Sequence, residues 1–193
     1  RSVENAFLYK LNVYNGETLK LLHELGACRW VLPAELSRDM LAALQARRPH
    51  GMETEVQVFG RLPLALSARC FTARAHHLPK DECEFRCRDY PDGLPLATRE
   101  GQRFLTINGI QTQSGSTSCL VAELPELRAI GVDVLRLSPQ AHGMHDIVQV
   151  FHEALDGRLA PAEAEARLAV HMPDGACNGY WRGEPGMGRQ PPG

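Results

Sequence analysis

Apolar positions along this chain follow two periods that take turns. KLNVYN (10–15) alternates and predicts a short strand. From Gly16 to Gly26, Leu19, Leu22 and Leu25 recur at helical spacing, and Gly26 supplies a stop. RWVLP (29–33) reads as a buried strand closed by a proline. Leu36, Met40, Leu41 and Leu44 then draw one apolar stripe along a helix from Ala34 to Arg48. TEVQVFG (54–60) alternates again and predicts a third strand ending at Gly60, followed by a short apolar piece, LPLALSARC (62–70). Both periods fade between Cys70 and Arg103, and a connection of that length is more often functional than passive. Order returns as a strand over 103–109, a helix over 116–130 interrupted at Pro125, a strand over 132–139, and helices over 143–155 and 161–170. The end of the chain, 173–193, is rich in Gly and Pro and predicts an irregular tail.

Strands and helices in alternation predict an α/β fold with a parallel sheet and helices outside it. No strand is followed by the GxGxxG of a nucleotide-binding doubly wound sheet. The expectation is therefore the C-terminal part of a (β/α)8 TIM-like barrel, with about five of its eight strands, carrying an insert over 70–103. On this reading residues 1–193 are a single domain whose N-terminal barrel half lies upstream, in keeping with a first residue other than Met.

Composition narrows the function classes. A formal net charge of -2 provides no global basic field for DNA. The apolar runs are too short to span a membrane, and no secretory signal is visible. Six cysteines without such a signal predict a reducing, cytoplasmic setting rather than a disulfide framework.

Three of the six cysteines gather in the insert: Cys70, Cys83 and Cys87, in RCFTARAHHLPKDECEFRC. Thiols collected in a segment that cannot pack a core predict a metal or cluster site. Zinc accepts three thiolates and an imidazole, which His76 or His77 would supply. A [4Fe–4S] cluster is usually held by four thiolates. The spacing alone does not choose between them, and three is one short of four. Arg69, Arg74, Lys80 and Arg86 stand near these thiols, as cations that favour thiolates or as a solvated loop. Cys28, Cys119 and Cys177 are expected to pack as small hydrophobes. Asn108, Gln111 and Thr112 follow a strand and suit a polar or uncharged aromatic ligand, or simply stabilise a turn. Arg136 ends another strand and suits an anion or a salt bridge. Tyr180 and Trp181 are expected to close a barrel end, and His142, His145 and His152 to be surface histidines.

LALSARCFTAR, KDECEFRC, YPDGLPL, INGIQTQS, VDVLRLSPQ and CNGYW together resemble the UbiV-like proteins of the YhbU-like, collagenase-type peptidase superfamily. NVYN and WVLPAEL fit the same family upstream, so the resemblance covers essentially the whole chain. It implies a [4Fe–4S] cluster on four cysteines, three of them matching Cys70, Cys83 and Cys87 and the fourth lying in the N-terminal half of the barrel. It also implies a heterodimer with a UbiU-like protein, a UbiT-like lipid carrier, and oxygen-independent hydroxylation of a ubiquinone precursor. Two other outcomes stand beside it. One is an RNA-base hydroxylation protein of the same superfamily, which calls for a basic face that the net charge does not provide. The other is a non-enzymatic, zinc-stabilised binding module. No nucleophile–base pair or HExxH supports a peptidase.

Overall fold

A computed structural model describes residues 6–7 and 12–191. The predicted strand at 10–15 falls partly outside the described residues; from Asn12 to Tyr14 the chain has no regular structure, and β1 lies earlier, at Ala6–Phe7. Helix α1 (Gly16–Glu24) starts where Asn15 accepts a hydrogen bond from the Thr18 amide at 2.8 Å, and stops at Gly26, which takes a φ of 98°. β2 (Arg29–Val31) follows. α2 (Arg38–Gln45) is shorter than its apolar stripe suggests, because Ser37 caps it through the Met40 amide at 3.4 Å. Leu41 and Leu44 are buried under it, whereas Met40 faces outward.

β3 runs from Glu53 to Leu66 and joins two expected pieces into one strand. Its first half lies between β2 and β7 (Val134–Leu137), parallel to both. From Phe59 onward it pairs antiparallel with β6 (Gln111–Cys119). Gly60 therefore marks a change of partner rather than a strand end. Its φ of 114° is open to glycine alone, and a β-carbon there would collide with Ser138 after β7. β4 (Leu94–Ala97), β5 (Arg103–Asn108) and β6 form an antiparallel meander, with β8 (Ala176–Cys177) added parallel to β6. The expected all-parallel order is thus corrected: the sheet is mixed, in the order β1-β2-β3-β6-β5-β4 with β7 on β3 and β8 on β6.

A second correction concerns 116–130. QTQSGSTSC has no apolar period, yet it is a strand whose Ser114, Thr117 and Ser118 are buried between neighbouring strands. The Ser114 hydroxyl accepts from the Leu62 amide at 2.9 Å and donates to the Ser116 carbonyl at 2.6 Å, so polar residues occupy the interior without loss. The helix, α4 (Leu124–Ile130), carries Pro125 in its first turn instead of being interrupted by it, since a proline there forfeits no helical hydrogen bond. α5 (Met144–Leu155) and α6 (Pro161–Leu168) form as their periodicity predicts.

One core lies between the helices and one face of the parallel strands. Leu19, Leu41, Val58, Leu127, Ile147 and Val150 are sealed in it, and Phe59 meets Phe151 edge-on at 6.1 Å. The irregular tail closes one side: Trp181 is buried and donates to Glu126 at 3.1 Å, while Arg182 bridges Glu126 at 3.0 Å and the buried Glu123 at 3.2 Å. Cys119 and Cys177 pack in the interior, as expected, although Cys119 ends a strand rather than starting a helix. Burial pushes both thiols up to about 11.

Candidate functional site: a thiol-bearing insert beside a polar cavity

Past Leu66 the chain turns over the β5–β6 hairpin. The Ser67 amide donates to the Ile110 carbonyl at 2.8 Å, and the Phe71 amide to Gly109 at 3.0 Å. Gly109 returns a bond to the Thr72 hydroxyl at 3.2 Å. These clips seat α3 (Phe71–Ala75), and the half-buried Cys70 caps it, its Sγ 3.4 Å from the Ala73 amide. Two single 3-10 turns follow, Lys80–Glu82 and Arg86–Asp89. Half-buried Cys83 ends the first and exposed Cys87 lies in the second. Tyr90 then folds back on His76, its hydroxyl 3.1 Å from Nε2.

The link between Cys83 and Cys87 is strained. Cys83 is right-handed, but Glu84 (φ 51°) and Phe85 (φ 53°) are both left-handed without being glycine. Successive right- and left-handed residues turn backbone N–H groups into one concavity, a geometry that serves anions and iron–sulfur sulfurs. Among the described residues the Glu84 and Phe85 amides donate to no backbone carbonyl. Phe85 itself is 64% exposed, its ring covered on one side by the Arg88 guanidinium at 5.1 Å.

The three thiols therefore fit a cluster or metal in donor type and chain placement. None is in a disulfide, all three lie in one insert, and free amides lie between two of them. They are not assembled: among the described residues no three His, Cys, Asp or Glu side chains converge as metal ligands. His76 is engaged with Tyr90. Of the nearby cations, Lys80 donates to the Ala68 carbonyl at 3.0 Å and Arg86 pairs with Glu84 at 2.8 Å, so both bind their own loop.

The insert leads to a cavity of about 240 Å³ at the ends of β3's parallel half and of β7. Pro91 and Asp92 form one wall, and Ser138, Pro139 and Gln140 another. Asp92 joins the two walls by accepting from the Ala141 amide at 2.6 Å. From the NGIQTQS stretch, Asn108 and Gln113 line the cavity as well. Gln111 instead accepts from Gln113 at 3.0 Å, and Thr112 pairs with Ile107 on the opposite sheet face. The cavity's arginine, Arg61, is matched by Asp174 at 2.6 Å. Arg136 takes the structural role: it binds Glu55, a buried strand carboxylate that Arg29 approaches from the other side at 3.7 Å.

His142, His145 and His152 are exposed, as expected, and His142 also lines the cavity wall. One cavity feature had no sequence signal. His171 lines the wall too and pairs with Asp146. The partners are 25 residues apart, a separation that matches no motif.

The model of the family described as Peptidase family U32 matches residues 8–190. The chain belongs to peptidase family U32. The match runs through α1 to the tail, so the thiol insert and the cavity both lie within the U32 region. No solved structure matches the chain. Among the described residues of this U32 member, no helix is long and apolar enough to cross a membrane.

Proposed function

We propose that this U32 chain is the iron–sulfur part of a UbiV-like protein that supports oxygen-independent hydroxylation of a ubiquinone precursor in the cytoplasm. It would act with a UbiU-like partner and a UbiT-like lipid carrier. The carrying observation is the continuity between three unpaired thiols and a ligand-sized polar cavity, joined through Asp92. Cys70, Cys83 and Cys87 would hold a [4Fe–4S] cluster together with a fourth thiolate outside this chain. Such a cluster, when bound, supplies one-electron chemistry. The chain's own residues bind and orient: Asn108, Gln113 and Gln140 present amide donors and acceptors, and among the described residues no unmatched arginine or lysine lines the cavity to draw in an anionic ligand.

The fold reading accompanies this function. Strands β1, β2, β3 and β7 run parallel in that order, with α1 and α2 in the connections between them. Four such strands are half of a (β/α)8 barrel, and the cavity lies past the parallel part of β3 and the end of β7, on the side where barrels carry their chemistry. Hydrolysis of peptides ranks below this reading. Ser138 and His171 line one cavity, yet among the described residues no hydrogen bond joins them to make a nucleophile–base pair.

Anaerobic purification of the full-length protein with iron and sulfide analysis tests the reading. Four irons and four sulfides per chain are expected. One equivalent of zinc without iron would overturn it. Cys83→Ala in the full-length protein should abolish the visible absorption of the cluster, and unchanged absorption would remove Cys83 from the ligand set.

A further inference from the structure

The cavity has a second set of titratable groups, away from the thiols. His171 ends the single 3-10 turn Ala169–His171, and its Nε2 lies 2.8 Å from Oδ2 of Asp146 in the first turn of α5. Asp146 is held from α6 by Arg167 at 3.4 Å, and Arg167 also binds Glu153 at 2.6 Å. An ionised carboxylate only accepts hydrogen bonds, so the nitrogen that faces it carries the proton. Neutral His171 is thereby fixed as the Nε2–H tautomer, with its lone pair on Nδ1.

The surroundings leave that lone pair open. Nδ1 stands against Gly143, where a β-carbon would collide with the ring, and Gly143 has a φ of 77°. Nδ1 is not among the buried atoms that lack a partner, and among the described residues no donor is bonded to it. Gln140 steadies the backbone on both sides by donating to the carbonyls of His142 (3.0 Å) and His171 (3.4 Å). The other charged or titratable groups on the cavity or behind the pair are His142, Asp92, Arg61 with Asp174, and Arg167 with Glu153. Among the described residues Asp92, Arg61, Asp174, Arg167 and Glu153 all have partners here.

We infer that His171 is the proton acceptor of the cavity, taking a proton at Nδ1 from the hydroxyl of a small neutral ligand, with Asp146 as its positioning residue. In that step the ligand O–H bond breaks, its electron pair stays on oxygen, and an N–H bond forms at Nδ1. The imidazolium charge is balanced by Asp146. The proton returns to the ligand oxygen or to water on release, so no oxidant or reductant is required. The ligand class follows from the lining: Asn108, Gln113, Thr117 and Ser138 bind neutral oxygen and nitrogen groups, and Arg61 is occupied by Asp174. A cavity of about 240 Å³ exceeds the roughly 150 Å³ that admits benzene. One substituted ring or a molecule of similar size fits.

Long-range 1H–15N correlation spectra of the uniformly 15N-labelled full chain test this, with phenol as the hydroxyl probe and benzene as its control. The expected result is a neutral His171 in the Nε2–H form whose Nδ1 signal moves with phenol and several-fold less with benzene. In Asp146→Asn the tautomer preference should relax and the phenol response of Nδ1 should fall several-fold, while the side-chain amides of Asn108 and Gln113 still respond. An Nδ1–H tautomer in the wild type would overturn the assignment. So would phenol shifts at Asn108 and Gln113 without one at His171, or no response to phenol at all. If Asp146→Asn does not fold, the wild-type titration decides alone. The spectra require no iron, so a failed cluster analysis leaves the assignment of His171 standing, and the reverse also holds.

Discussion

The helix-backed strands and the thiol insert are held by different forces. Around β2, β3 and β7, large apolar side chains are sealed from water, and their packing accounts for the local stability. Between Cys70 and Asp92 only Thr72 and Ala73 are buried. That segment is held by single polar clips: Phe71 to Gly109, Lys80 to Ala68, Tyr90 to His76 and Asp92 to Ala141. Packing makes a wall that keeps its shape, which suits a cavity. Polar clips make a segment that opens at low cost, which suits thiols that must still converge on a ligand.

Substitutions can break or sharpen this contrast. The largest effect is expected from Phe59→Ala, at the point where β3 changes partner. It should destabilise the protein by about 3–5 kcal/mol in denaturant unfolding, whereas Phe85→Ala in the insert should stay within about 0.5 kcal/mol. Equal effects would erase the distinction between the two regions. Next comes Glu55→Gln, which leaves Arg29 and Arg136 facing an uncharged amide inside the sheet. A loss of about 1–3 kcal/mol is expected, measured in the same way, and no loss would show the triad to be dispensable.

Thiol reactivity reads the contrast chemically. At mildly alkaline pH iodoacetamide should modify Cys70, Cys83 and Cys87 well before Cys119 and Cys177, whose thiols burial pushes up to about 11. Peptide mass spectrometry at timed intervals would follow this, and a uniform rate would mean that the core opens as readily as the insert.

The smallest effect concerns Asp146. Its hydrogen bond from His171, and then that from Arg167, hold the carboxyl below its ordinary value of 3.8. A depressed carboxyl stabilises the fold above its unfolded value, and that contribution is lost as pH falls through the folded value. The side chain is nearly half exposed, so solvent screening keeps the effect small. Unfolding midpoints of the wild type and Asp146→Asn should differ near neutrality and merge in strong acid. A constant gap across that range would remove the carboxylate from the account.

Much of the helix-backed region was legible in the chain. The stripes that predict α1, α5 and α6 are there because each helix must bury one face, and the run through Val58 reads as a strand for the same reason. The meander was less legible. β6 is composed of Gln, Ser and Thr, and it is a strand because β3, β5 and β8 satisfy its backbone. β4 lies within the stretch where periodicity fades, since Pro95, Leu96 and Ala97 are all exposed and no buried face marks it. At the candidate site, Cys70, Cys83 and Cys87 were visible by residue type, and Asn108 by its place after a strand. His171 and Asp146 were not, because neither belongs to a spaced motif.

What the sequence determined by itself is whatever depends on neighbours within a turn or two: the helices and their caps, the first half of β3, the clustering of thiols, and the motifs that mark the family. Tertiary structure alone decided that Gly60 is a change of partner, that Arg136 meets Glu55, that Asp92 closes one wall onto another, and that His171 faces Asp146. The physical reason is range. Hydrophobic periodicity is written locally, whereas a strand partner or an ion pair 25 residues apart depends on where the packed helices and sheet bring the chain back on itself.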